Sequence, residues 1–119
     1  MRPDQIDVIT EVDTLTSAWS LASGNYANRF SSVVVGAIAD SAEKVAKKIK
    51  QIAAENLEVA PEDIELVGGE ARVVGVPEKA LPIRRVAAQT HWHPAGLPEG
   101  MDPGMFETTI MSPPMLEAP

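Results

Sequence analysis

The chain has 119 residues, enough for one compact domain with its own core, and 45% of them are hydrophobic against 23% charged. A net charge of −7 argues against nonspecific nucleic-acid binding and against an anionic membrane surface. With no Cys there is no disulfide, no Cys-ligated zinc and no Cys-ligated iron–sulfur cluster, and no apolar run approaches the ~20 residues of a membrane span. Met1-Arg2-Pro3-Asp4 lacks the apolar core of a signal peptide, so the expected location is cytoplasmic.

Ile6 to Val12 alternates apolar and polar residues, which predicts a strand with one buried face, preceded by Pro3-Asp4 turn chemistry. A polar loop follows from Thr14 to Ser32, with Trp19, Leu21, Tyr26 and Phe30 dotted through it. A loop of that length is uncommon unless it is functional. From about Ser32 to Asn56 the period is helical: Val34, Ile38, Ala42, Val45, Ile49 and Ile52 recur at spacings of three and four. Val33 to Ala39 is apolar all round, so the first half of this helix is expected to be its most buried part. Lys44, Lys47, Lys48 and Lys50 fall mostly on the opposite side, mixed with Glu43 and Glu55, and read as a solvated face.

Pro61-Glu62-Asp63 ends the helical region. Ile64–Val67, Gly68-Gly69 and Glu70–Val74 then read as a β-hairpin, because two glycines supply the positive φ values of a tight primed turn. Gly75 to Glu78 is expected to turn the chain, and Leu81 to Gln89 to form a short helix with Pro82 in its first turn. Eight of the ten prolines lie from Pro77 onward, so the last third is expected to be extended or irregular. Phe106 to Met111 reads as a terminal strand, whose partner lies in another chain or in further sequence.

Two stretches bear on chemistry. A glycine-bearing loop, Ser23 to Ser32, feeds directly into the long helix, with Ser31 or Ser32 as N-cap. Free amides at a helix start, the positive dipole end and the Arg29 guanidinium together suit a phosphate or pyrophosphate. A plain capped loop with Arg29 on the surface accounts for the same residues. His91-x-His93 in a strand would point two rings to one face, but no third ligand is evident, and packing around Trp92 is the expected role. No Walker A, no Gly-x-Gly-x-x-Gly and no arguable Ser/His/Asp set is present, so no catalytic residue is assigned.

The ordered set of motifs resembles the molybdopterin-binding large subunit of the molybdenum hydroxylases, the group of xanthine dehydrogenase, aldehyde oxidase and aerobic carbon monoxide dehydrogenase. The stretches that carry it are Pro3–Thr14 ending in Asp13-Thr14, Gly24–Ser32, Ala53–Glu65 with the Gly68-Gly69 hairpin, and Leu97–Gly104. Asn28 stands where Ser is more usual. The resemblance implies cofactor contacts at Asn28, Arg29, Phe30, Ser31 and Ser32, with Gly24 shaping the loop. It implies molybdopterin, as such or as a dinucleotide, bound only in the complete enzyme. The implied partners are the rest of the large subunit, an iron–sulfur subunit and an FAD subunit. The implied reaction is oxidation or hydroxylation of an aldehyde, a heterocycle or a similar small molecule. The family's catalytic Glu and first cofactor-binding segment have no counterpart here, so the chain is expected to be a piece or small subunit, inactive alone.

The expected architecture is α+β: a long helix on a small mixed sheet made by the first strand and the hairpin, with residues 1–90 as compact core and 91–119 as an extended segment and terminal strand. A competing expectation is a non-catalytic α+β interaction module that pairs with a partner chain.

Overall fold

A computed structural model describes residues 2–9 and 34–110 of the chain. Its longest element is helix α1, Val35–Leu57. Val45, Ile49 and Ile52 follow the spacing that lines one helix face. The helix stops at Glu58, which takes a left-handed conformation with φ 57° and ψ 45° and returns its N–H to the carbonyls of Ala54 and Glu55. The Val59 N–H adds a 3.0 Å bond to the Ala54 carbonyl, so the last turn keeps donors for its acceptors. Pro61–Asp63 then forms a 3-10 turn.

Strands β1 (Ile64–Val67) and β2 (Glu70–Val73) pair antiparallel. Gly68 and Gly69 join them with φ of +60° and +79°, as a primed turn requires. A third strand, β3 (Val76–Pro82), pairs antiparallel with β2 across a bulge between Arg72 and Val73. The sheet order is β1-β2-β3, antiparallel throughout rather than mixed. The sequence predicts only a turn at Gly75–Glu78. Pro77 and Pro82 disguise the strand, and both are tolerated because β3 is an edge strand that needs ladder donors on one side only. Helix α2, Ile83–Trp92, starts directly after Pro82.

One buried cluster unites these elements: Ile49, Ile52, Ala53 and Ala54 of α1, Ile64 of β1, Ala71 and Val73 of β2, and Val86 of α2. Strand alternation explains the choice of residues. Ile64 lies opposite Val73, and both join the cluster. Glu65 and Arg72, one position along, pair on the other face at 3.3 Å between Arg72 Nε and Glu65 Oε1. Asn56 Nδ2 donates to Gln89 Oε1 at 2.7 Å and ties α1 to α2.

The α+β class stands, but besides the mixed sheet and the turn at Gly75–Glu78 two further expectations within it do not. The buried residues of α1 are Lys48, Ile49, Ile52, Ala53 and Ala54, all in its second half, whereas Val35 is 49% and Ile38 62% exposed. Length explains this: α1 spans ~35 Å by its rise per residue, and the strands beneath it hold four to seven residues. Ile6–Ile9 pairs with no strand among the described residues and is exposed, after a 3-10 turn at Pro3–Gln5; Thr10–Val12 lie outside the described residues. Phe106–Ile110, whose partner is expected in another chain or in further sequence, pairs with no strand among the described residues, and Met111 lies outside them. Side-chain alternation alone does not place a strand; a neighbour with free ladder groups does.

Candidate functional site

After a 3-10 turn at Pro94–Gly96 the chain doubles back along α1. Two anchors fix its path. The first is Gly104, buried and with φ +93°. Its N–H donates to the Thr90 carbonyl at the end of α2 (3.3 Å), and its carbonyl accepts from Lys48 Nζ at 2.6 Å. A Cβ there would lie 2.7 Å from Cε1 of Phe106. Phe106 is 71% exposed and can swing away, so the cost of Gly104→Ala is chiefly the backbone conformation, about 1–2 kcal/mol. Urea unfolding should show that loss; an unchanged midpoint would mean Gly104 is free to adopt negative φ.

The second anchor is Thr109, whose hydroxyl uses all three of its hydrogen-bonding positions. It donates to Asp40 Oδ2 at 2.8 Å and accepts from Ser41 Oγ at 2.8 Å and Lys44 Nζ at 3.3 Å. Lys44 Nζ also reaches Asp40 Oδ2 at 3.0 Å, one helical turn away. Hydrogen bonds from Lys44 and then Thr109 hold the Asp40 carboxyl below its ordinary value of 3.8. A depressed folded-state value means the tether is complete above that ordinary value and is lost as pH falls through the depressed one. NMR titration of the Asp40 carboxyl should give a midpoint below 3.8, moving up in Lys44→Ala. A midpoint indifferent to Lys44 would remove this account.

Between α1 and the returning segment lies an open cleft of ≈ 640 Å³. Lys44, Lys47, Lys48 and Glu55 line one wall, Glu99, Asp102 and Glu107 the other, with Val59 and Met101 as apolar floor. Cations and carboxylates in near balance leave no single-sign field to concentrate an ion. Lys48 is also where the solvated-face reading of the lysines fails: it is only 8% exposed. Its position was legible, since residue 48 continues the Val45–Ile52 stripe, and its long stem buries while its ammonium finds a carbonyl.

The six cofactor-contact residues expected from sequence, Gly24, Asn28, Arg29, Phe30, Ser31 and Ser32, lie outside the described residues. The described residues resume at Val34, which already has helical φ and ψ of -68° and -47° and gives no side-chain cap. His91 lies in the last turn of α2 and His93 is its C-cap, so the pair does not share a strand face. Trp92 is 78% exposed, which overturns its expected packing role. Among the described residues no three His, Cys, Asp or Glu side chains group to hold a metal, and no helix is long and apolar enough to cross a membrane.

The family described as the molybdopterin cofactor-binding domain matches residues 1–114. The crystal structure of quinoline 2-oxidoreductase from Pseudomonas putida 86 is similar at 34% identity and a TM-score of 0.62, over 75% of this chain and 11% of that one. The Cu,Mo-CO dehydrogenase in its carbon monoxide reduced state is similar at 30% identity and a TM-score of 0.69, over 83% and 12%. Reconstituted CO dehydrogenase from Oligotropha carboxidovorans is similar at 33% identity and a TM-score of 0.56, over 64% and 9%. No curated protein matches the chain. The match thus spans about a tenth of the length of these solved relatives. The family match over residues 1–114, with 30–34% identity to solved relatives over 64–83% of the chain, places the chain in the molybdopterin cofactor-binding domain family of the molybdenum hydroxylases.

Proposed function

We propose that the chain forms part of the molybdopterin cradle of a molybdenum hydroxylase that oxidises an aldehyde, a heterocycle or a similar small molecule. The observation that carries this is the family match over residues 1–114, joined to likeness above 25% identity with two kinds of molybdenum-family oxidoreductase. Arg29 and the hydroxyls of Ser31 and Ser32 hold the phosphate or dinucleotide end of the cofactor. Asn28 and Phe30 contact the same end, and Gly24 lets the loop turn. When bound, the cofactor supplies the metal centre for oxidation with oxygen from water; this chain binds and orients it. Electrons leave through iron–sulfur and FAD partner subunits, in the cytoplasm.

The test is molybdenum and pterin analysis of the natively purified assembly, with its mass under non-denaturing conditions. Molybdenum and a pterin nucleotide should co-purify, and Arg29→Ala should lose most of both while secondary structure is unchanged. If Arg29→Ala retains both and shifts stability by no more than ~0.5 kcal/mol, Arg29 is a surface residue and the loop assignment fails.

A further inference from the structure

The segment that returns along α1 is held by little main-chain pairing. Among the described residues, Pro98 to Ile110 makes two backbone bonds: Met101 N–H to the Pro98 carbonyl at 3.1 Å and Gly104 N–H to the Thr90 carbonyl at 3.3 Å. Only the second reaches another element, so side chains decide whether the segment stays down. Those that pack on the core are Leu97, Met101 and Met105, four residues apart. Two of these three apolar contacts are thioethers, and they flank the Gly104 anchor. Both methionines are half-buried, and Met101 lies on the floor of the cleft beside α1. A thioether fills an apolar gap much as leucine does, but one added oxygen atom turns it into a polar, hydrogen-bond-accepting sulfoxide.

We propose that Met101 and Met105 make the returning segment an oxidation-sensitive latch, closed as thioethers and opened as sulfoxides. The oxidant is a peroxide. Hydrogen peroxide gives one oxygen atom to the sulfur: the O–O bond breaks, an S–O bond forms, the sulfur loses two electrons and the peroxide leaves as water. At Met105 the new dipole lies against an apolar cluster, where a polar group without a partner is costly. At Met101 the new oxygen is an acceptor in a cleft that Lys44, Lys47 and Lys48 also line. Lys48 Nζ now donates to the Gly104 carbonyl, so the sulfoxide competes for the ammonium that pins the segment. The step is reversible, because a reductase exists for each sulfoxide epimer.

Peroxide treatment of the natively purified protein tests it, with peptide mass mapping to locate sulfoxides and hydrogen exchange to follow the Gly104 amide. The dose is one that fully oxidises free methionine. The expected result is sulfoxide at Met101 and Met105 and Gly104 exchange about tenfold faster, the size set by burying a polar group without a partner. Methionine sulfoxide reductases of both epimer specificities, with a dithiol that is oxidised to its disulfide as the oxygen leaves as water, should restore slow exchange. The variant Met101→Leu/Met105→Leu keeps the packing volume and should not respond to peroxide, although Met1, Met111 and Met115 stay oxidisable. The latch is overturned if Met101 and Met105 remain thioethers at that dose. It is overturned equally if they are oxidised while Gly104 exchange is unchanged, or if the double variant responds as the natural sequence does.

Discussion

Ile52→Ala is expected to lower the unfolding free energy by about 3 kcal/mol, within the range for truncating a fully buried isoleucine. Ile52 is 1% exposed and shares its cluster with Ile49, Ile64 and Val86. Its small neighbours Ala53 and Ala71 are both 0% exposed and have no long side chain to move into the space. The cavity therefore stays largely open, and its cost adds to the lost transfer energy. Urea unfolding checks this through a lower midpoint at an unchanged slope. On the same helix, Ile38→Ala should change the chain's stability by no more than ~0.5 kcal/mol, because that side chain leaves little contact behind. Equal losses at the two positions would mean that the first half of α1 is packed after all.

Lys48→Met is expected to cost about 1–2 kcal/mol and to loosen the returning segment at Gly104. Two effects oppose each other. Removing a charge from a site only 8% exposed relieves its desolvation, which can make such a change neutral. Removing the donor leaves the buried Gly104 carbonyl without the 2.6 Å bond it now accepts. The second effect wins here, because the bond is short and charge-assisted. Methionine retains the apolar stem, so the difference isolates the ammonium. Amide exchange at Gly104 and Met105 should accelerate with the loss of stability. Unchanged exchange and an unchanged midpoint would show that the anchor is made by the Thr90 carbonyl alone.

The parts of the fold legible from sequence are those fixed by local chemistry. The period of three and four placed α1 to within a few residues of Val35–Leu57, because one helix face must be apolar wherever it meets a core. Gly68-Gly69 placed the hairpin turn to the residue and its strands to within one, because few other dipeptides adopt two positive φ values cheaply. The long-range arrangement was not legible. Whether Val35 and Ile38 are covered depends on how far the sheet extends under α1, and that is a property of three strands at once. Whether Ile6–Ile9 pairs depends on a free strand edge elsewhere, and β3, with its two prolines, was hidden by residues that usually signal turns. Gly104 and Thr109 gave no local sign of their roles, since each acts through a partner more than fifty residues away.

The sequence by itself determined the long helix, the Gly68-Gly69 hairpin and the second helix, the absence of any cysteine chemistry, and a set of motifs sufficient to name the family, because these depend on residue types at short spacings. Only the tertiary structure decided which half of α1 joins the core of the described residues and that Lys48 serves as a buried tether. Those outcomes follow from burial, which belongs to no residue alone but to what the rest of the chain can reach.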